Sequence, residues 1–158
     1  MTFRILDLDN TISNDGWRIP RIRWANSDPD ARYHEYHSLS GFDSAGNNHL
    51  FEGKKGVIIF TARPSVFRPI TEEWLKRNGI NHKLLLMREL GDHRPSVELK
   101  LAQLSSLDSL YSIHRKEIAL AADDRQDVIN MYLEQGLRCA EVHSLHDTCA
   151  YADPRGKK

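Results

Sequence analysis

Apolar residues gather in short, nearly unbroken runs at Phe3–Leu6, Val57–Phe60, Lys83–Met87 and Ile118–Ala122, with a weaker fifth at Cys139–Val142. Runs that do not alternate with polar residues fit strands covered on both faces. Between them, apolar positions recur at helical spacing. Pro69–Asn78 puts Ile70, Trp74 and Leu75 on one face, with Pro69 suited to a first turn and Gly79 to the position past a helix end. Ser96–Leu110 carries Val97, Leu101 and Leu104 behind a capping Ser96. Arg125–Gln135 carries Val128, Ile129, Tyr132 and Leu133 and is closed by Gly136. Strand–helix alternation of this kind predicts an α/β fold, a Rossmann-like parallel sheet with flanking helices.

The alternation breaks once. The stretch from Ser13 to Lys55 separates the first strand from the second and is far longer than a crossover requires. It holds Trp17, Arg18, Arg21, Arg23, Trp24, Tyr33, His34, Tyr36 and His37, then the turn-rich Gly41–Asn48. It predicts a small cap over the sheet edge, with a helix near Asp30–Ser38. Residues 1–151 then form one domain with the cap at about 13–55, and the ADPRGKK ending at 152–158 reads as a disordered tail. No internal repeat or low-complexity tract interrupts this plan.

Composition narrows the function classes. The chain has 158 residues, and its 22 Lys+Arg balance its 22 Asp+Glu, which excludes a strongly basic protein that holds nucleic acid by charge alone. The start, MTFRILDLDN, lacks the apolar core of a leader, and no run approaches the roughly 18 apolar residues of a membrane span, which predicts a cytoplasmic protein with no membrane partner. Two cysteines, Cys139 and Cys149, are too few for a disulfide framework and fit a reducing compartment. His143 and His146 lie between them, but no C-x-x-C clamp accompanies them, so two ordinary thiols are expected rather than a zinc site.

The chemistry follows the strands. The first ends in Asp7-Leu8-Asp9-Asn10-Thr11, the second in Thr61-Ala62-Arg63, and the fourth in Asp123-Asp124-Arg125. In doubly wound sheets ligands bind at the carboxyl ends of the strands, so Asp7, Asp9, Asp123 and Asp124 should meet there with a hydroxyl and an arginine. Crowded carboxylates repel one another, and a hard cation such as Mg²⁺, which takes oxygen ligands, relieves that repulsion. Arg63 and Lys100 supply the positive charge that a phosphate dianion needs. Asp7 or Asp9 could attack phosphorus while a neighbouring carboxylic acid protonates the leaving oxygen. Singly, such aspartates also cap helices or shape turns. Together and in order they describe phosphoryl transfer.

These residues resemble a family. Asp7-Leu8-Asp9-Asn10-Thr11, Phe60-Thr61-Ala62-Arg63-Pro64, Lys100 and Ala122-Asp123-Asp124-Arg125 look like the four motifs of haloacid dehalogenase (HAD) phosphatases. More closely, Leu86-Met87-Arg88, Gly91-Asp92-His93-Arg94 and Asp123 to Tyr132 are similar to the 3′-phosphatase domain of phage polynucleotide kinase-phosphatase and to stand-alone phage nucleotide phosphatases. The resemblance implies Asp7 as nucleophile and Asp9 as general acid, with the Asp9 carbonyl on Mg²⁺. It implies Thr61 and Lys100 as holders of the phosphoryl oxygens, and Asp7, Asp9, Asp123 and Asp124 as the metal set. Arg63 and Arg18 match arginines that bind substrate. A phage origin, and so a host cytoplasm, goes with it.

Two positions depart from the pattern. Asn10 replaces a common Gly, and Ser96 stands where the polynucleotide phosphatases carry an aspartate before the lysine. No G-x-x-x-x-G-K-[ST] kinase motif occurs. The expected activity is a Mg²⁺-dependent phosphomonoesterase acting on 3′-phosphate ends of polynucleotides or on nucleoside monophosphates. A non-catalytic phosphate- or nucleic-acid-binding module on the same fold is the alternative. Arg18, Arg21 and Arg23 with Trp17 and Trp24 fit either a nucleotide grip or a cap with its own small core and solvated arginines. His34 and His37 read as surface or core residues. Oligomeric state, including a homo-oligomer, stays open.

Overall fold

The computed structural model describes residues 2–147 and 154–155. Strands β1 (Phe3–Leu6), β2 (Val57–Pro64), β3 (His82–Arg88) and β4 (Ile118–Ala122) form one parallel sheet in the order β3-β2-β1-β4. Ile5 pairs with Ile58 on one side and Ala121 on the other, so β1 is central and its end lies between two others. Successive side chains of a strand point to opposite faces. Ile5, Ile58 and Phe60 therefore pack in one cluster with Leu104, Leu107, Val128 and Tyr132, from helices α3 (Ser96–Tyr111) and α4 (Gln126–Glu134). Leu6, Val57 and Ile59 pack in the other with Trp74 and Leu75 of α2 (Arg68–Arg77). Both faces are covered, as unbroken apolar strands require.

The insertion after β1 forms the cap. A 3-10 turn at Gly16–Arg21 precedes the helix α1 (Pro29–Ser38), whose start is capped by Asp28 accepting from the Asp30 N–H. The helix buries only Tyr36 and His37. Leu50 and Phe51 then return the chain to the core ahead of β2.

The structure departs from the sequence pattern in places. The fifth strand shrinks to one parallel bridge, Ala121 to Cys139, because the chain then leaves the sheet to run back over the loop after β1. Strand β2 runs on to Pro64. Leu101, 36% exposed, and Leu133, 53% exposed, face outward; the buried positions are Leu99, Lys100, Gln103, Leu104 and Leu107 in α3 and Val128, Met131 and Tyr132 in α4. Ser96 makes no capping bond; Pro95 holds the cap position. Cys149 and most of the tail lie outside the described residues. Among the described residues no helix is long and apolar enough to cross a membrane.

Candidate active site

The turn after β1 is held by one carbonyl. Leu8 O accepts from the N–H groups of Thr11, Ile12 and Ser13 at 2.9–3.0 Å, with Leu8 and Ile12 buried beneath it. Asn10 takes φ +58°, a left-handed angle that asparagine tolerates better than most residues. With Leu8 pinned inward, Asp7 and Asp9 both line the cleft above. A cavity of about 480 Å³ opens there, bounded below by Asp7, Asp9, Thr61, Lys100 and Asp124 and above by Tyr33, Tyr36 and His37 of α1.

Two charge clusters share this floor. In the first, Lys100 Nζ donates to Asp7 Oδ1 at 2.8 Å and to Asp123 Oδ2 at 2.5 Å, and Thr11 Oγ1 donates to Asp7 Oδ2 at 3.0 Å. Asp124 sits at the mouth, accepting from Asn10 Nδ2 at 3.2 Å. Asp7, Asp123 and Asp124 each offer a carboxylate oxygen within 4.8 Å of the others. Burial, together with Asp123, pushes the Asp7 carboxyl well above the usual range against the pull of Lys100. Burial and Asp123 also raise Asp124. Lys100 stays charged, since Asp7 and Asp123 outweigh its own burial. Carboxylates that one ammonium neutralises only in part are a donor set suited to a hard divalent cation.

The second cluster surrounds Asp9. Arg18 Nη2 donates to it at 2.5 Å and Arg63 Nη2 at 2.7 Å, with Arg63 Nε at 3.2 Å. Burial alone would raise Asp9, but the two guanidiniums hold it well below the usual carboxylate range. Both arginines are fully buried, and Asp43 anchors them from behind. Asp43 accepts from Arg18 Nε at 2.8 Å and Nη2 at 2.7 Å, from Ser13 Oγ at 2.6 Å and from Trp17 Nε1 at 2.8 Å. Arg63 lies 3.8 Å from it. Thr61, buried within β2, accepts the Arg63 N–H at 3.1 Å.

The fold thus brings together the expected catalytic, metal and arginine residues, although Arg18 and Arg63, expected to bind substrate, are buried behind Asp9 and do not line the cavity. Asp7, Lys100, Asp123 and Asp124 form one cluster, and Asp9, Arg18 and Arg63 the other, with Thr61 between strand and cleft. The Asp9 carboxylate turns to the arginines and is not part of the Asp7, Asp123 and Asp124 group. Asp43 and Ser13 escaped notice because they lie in irregular chain with no period to mark them. So did Asp15, which accepts from Tyr36 Oη and pairs with His146 at 2.6 Å. The cap aromatics split: Trp17 is 6% exposed and bound to Asp43, whereas Trp24 is 65% exposed. Arg21 and Arg23 pair with Glu35 at 3.5 and 2.7 Å. His37 is buried against the rings of Tyr33, Tyr36 and Phe67, and among the described residues its Nδ1 has no hydrogen-bond partner.

Comparison with known proteins agrees with this fold. The family model for the polynucleotide kinase PNKP phosphatase domain, of HAD type, matches residues 2–145. No curated protein matches the chain at significant similarity. Among solved structures, a chain of the Pnkp1/Rnl/Hen1 RNA repair complex is 27% identical, with TM-score 0.63, over 89% of this chain and 42% of that one. A second Pnkp1/Rnl/Hen1 complex gives 26% identity and TM-score 0.63, over 89% of this chain and 45% of that one. The chain therefore spans less than half the length of these relatives. A hydrolase from Streptococcus pneumoniae TIGR4 shares the fold at 15% identity and TM-score 0.56, over 92% of this chain and 95% of that one.

Proposed function

The chain belongs to the polynucleotide kinase PNKP phosphatase domain family of HAD phosphatases, and from that footing we propose that it is a Mg²⁺-dependent phosphomonoesterase releasing phosphate from the 3′ ends of polynucleotides. The observation that carries this reading is the pairing of the two clusters. A buried Asp7 carboxylate shares Lys100 with Asp123, while Asp9 beside it is clasped by two buried arginines.

The chain's own residues account for each step. Lys100 and Thr61 hold the phosphoryl oxygens, and an Asp7 oxygen attacks phosphorus. The bond to the 3′ oxygen breaks, and that oxygen takes a proton from Asp9. The Asp9 carboxylate then removes a proton from water, which attacks the aspartyl-phosphate, releasing inorganic phosphate and restoring Asp7. In the free protein Arg18 and Arg63 keep Asp9 ionised. A phosphate dianion bound against Lys100 and Thr61 adds negative charge beside Asp9, which then holds a proton more readily. Asp7, Asp123 and Asp124, with the Asp9 carbonyl, would hold Mg²⁺, whose charge would offset that of the phosphoryl oxygens.

The test is phosphate release from a 3′-phosphorylated oligonucleotide and from nucleoside 5′-monophosphates. Release should need Mg²⁺ and stop with EDTA. Asp7→Asn should lower kcat by a factor on the order of 10⁴ or more with the fold retained. Activity surviving in Asp7→Asn would remove it as nucleophile. Release confined to monophosphates would make the chain a nucleotide-pool enzyme, and a folded wild type inert on both would favour the binding module.

A further inference from the structure

One cap feature has no part in the charge clusters. The loop carrying Trp24 is tied to α1 on both sides. The Arg23 N–H donates to Arg32 O at 2.9 Å, and Arg32 Nε donates to Asn26 O at 2.8 Å. A large indole is thus held at the surface by a built loop, although the chain buries its other cap tryptophan, Trp17. Trp24 stands edge-on to Tyr33 at 5.9 Å between ring centres, and Tyr33 meets His37 at 6.1 Å. Tyr33 and His37 both line the catalytic cleft. The rings therefore form a continuous path from the surface to the wall above Asp7 and Asp9.

We propose that this path, Trp24 through Tyr33 to His37, binds the single-stranded nucleotides 5′ of the scissile phosphate, with Trp24 stacking on a base upstream of the terminal nucleoside. The proposal rests on the phosphatase reading above and specifies its substrate as a strand end. Three observations select the occupant. The path opens into the cleft where the phosphate is cleaved. The cleft rim carries Arg32, whose guanidinium lies 5.9 Å over the Tyr33 ring, so a cation and an aromatic face stand together as a stacked, charged strand requires. A duplex would need a broad basic footprint, and a chain with 22 basic and 22 acidic residues does not supply one.

The experiment compares kcat/KM across a nucleoside 3′-monophosphate and 3′-phosphorylated oligonucleotides of two, four and six nucleotides, with 4-nitrophenyl phosphate as reference. The wild type should gain with length. Trp24→Ala should lower the ratio of the six-nucleotide value to the nucleoside value by about 5- to 150-fold, the range expected for one lost base stack. Trp24→Phe should restore most of that ratio, and thermal unfolding checks that each variant is folded. A ratio unchanged in Trp24→Ala overturns the proposal, as does a wild type that gains nothing with length. If that wild type still cleaves the nucleoside and aryl phosphates, the phosphatase reading stands while the path falls. If it cleaves none of them, both fall.

Discussion

At the scale of single residues, burial decides what each ionisable group can do. His37 shows it most simply. Burial, with help from Arg18, Arg63 and Arg88 and against Asp9, pushes its imidazole down to about 3. In the unfolded chain the same ring takes a proton near pH 6.5. Between those values the unfolded state binds more protons, so stability falls as the pH drops from about 6.5 towards 3. The slope from this one group reaches about 1.4 kcal/mol per pH unit. Replacing it with phenylalanine keeps a ring among Tyr33, Tyr36 and Phe67 and removes the titration. Urea unfolding at pH 7, 6 and 5 should therefore show the stability of wild type falling relative to His37→Phe as the pH is lowered. A difference that stays flat would mean that the native ring titrates normally. Nothing in the sequence marked this environment, since His37 is one of 8 histidines and its neighbours in space come from α1 and from Phe67. Asp43 was equally hidden. Its value lies in its partners Arg18 and Ser13, which no period links to it.

At the scale of elements, much more was legible. Unbroken apolar runs marked β1 and β4 to the residue, because strands buried on both faces have no polar side to blur their limits. Helices α2, α3 and α4 were found within a residue or two of their ends, but the buried face of α3 was misjudged. Val97, Leu99, Leu101, Leu104, Leu107 and Leu110 spread over about half of the helix circumference, too wide a stripe to fix which part is buried. What orients α3 is Lys100, which must reach Asp7 and Asp123; that rotation buries Leu104 and Leu107 and turns Leu101 outward. A charge in the site thus sets the packing of the helix. Leu104→Ala should cost about 2–5 kcal/mol in urea unfolding, as for other buried leucines. Leu101→Gln should stay within about 0.5 kcal/mol of wild type. Equal losses at the two positions would contradict the helix rotation seen here.

For the molecule as a whole, the site is closed by segments distant in sequence. The chain leaving β4 returns over the loop after β1, where the Leu145 N–H donates to Asn10 Oδ1 at 2.7 Å and His146 pairs with Asp15. Positive charge is likewise spent internally. Arg18 and Arg63 are buried against Asp9. At the rim, Arg125 pairs with Asp127 at 2.8 Å, and Arg88 donates to the carbonyls of Ala62, Asp92 and Arg94. A protein so balanced gathers few counterions from a strand. Single-strand binding loses affinity with salt at a logarithmic slope of about −0.7 for each phosphate neutralised. One to three phosphates held near the cleft predict a slope of log(kcat/KM) against log[salt] no steeper than about −2 on a 3′-phosphorylated hexanucleotide. Measured between 50 and 300 mM KCl, a much steeper slope would reveal a long electrostatic footprint, and the strand would then be held by its backbone. A shallow slope combined with a gain with substrate length would place the binding energy in stacking, where a neutral chain with an exposed tryptophan can supply it.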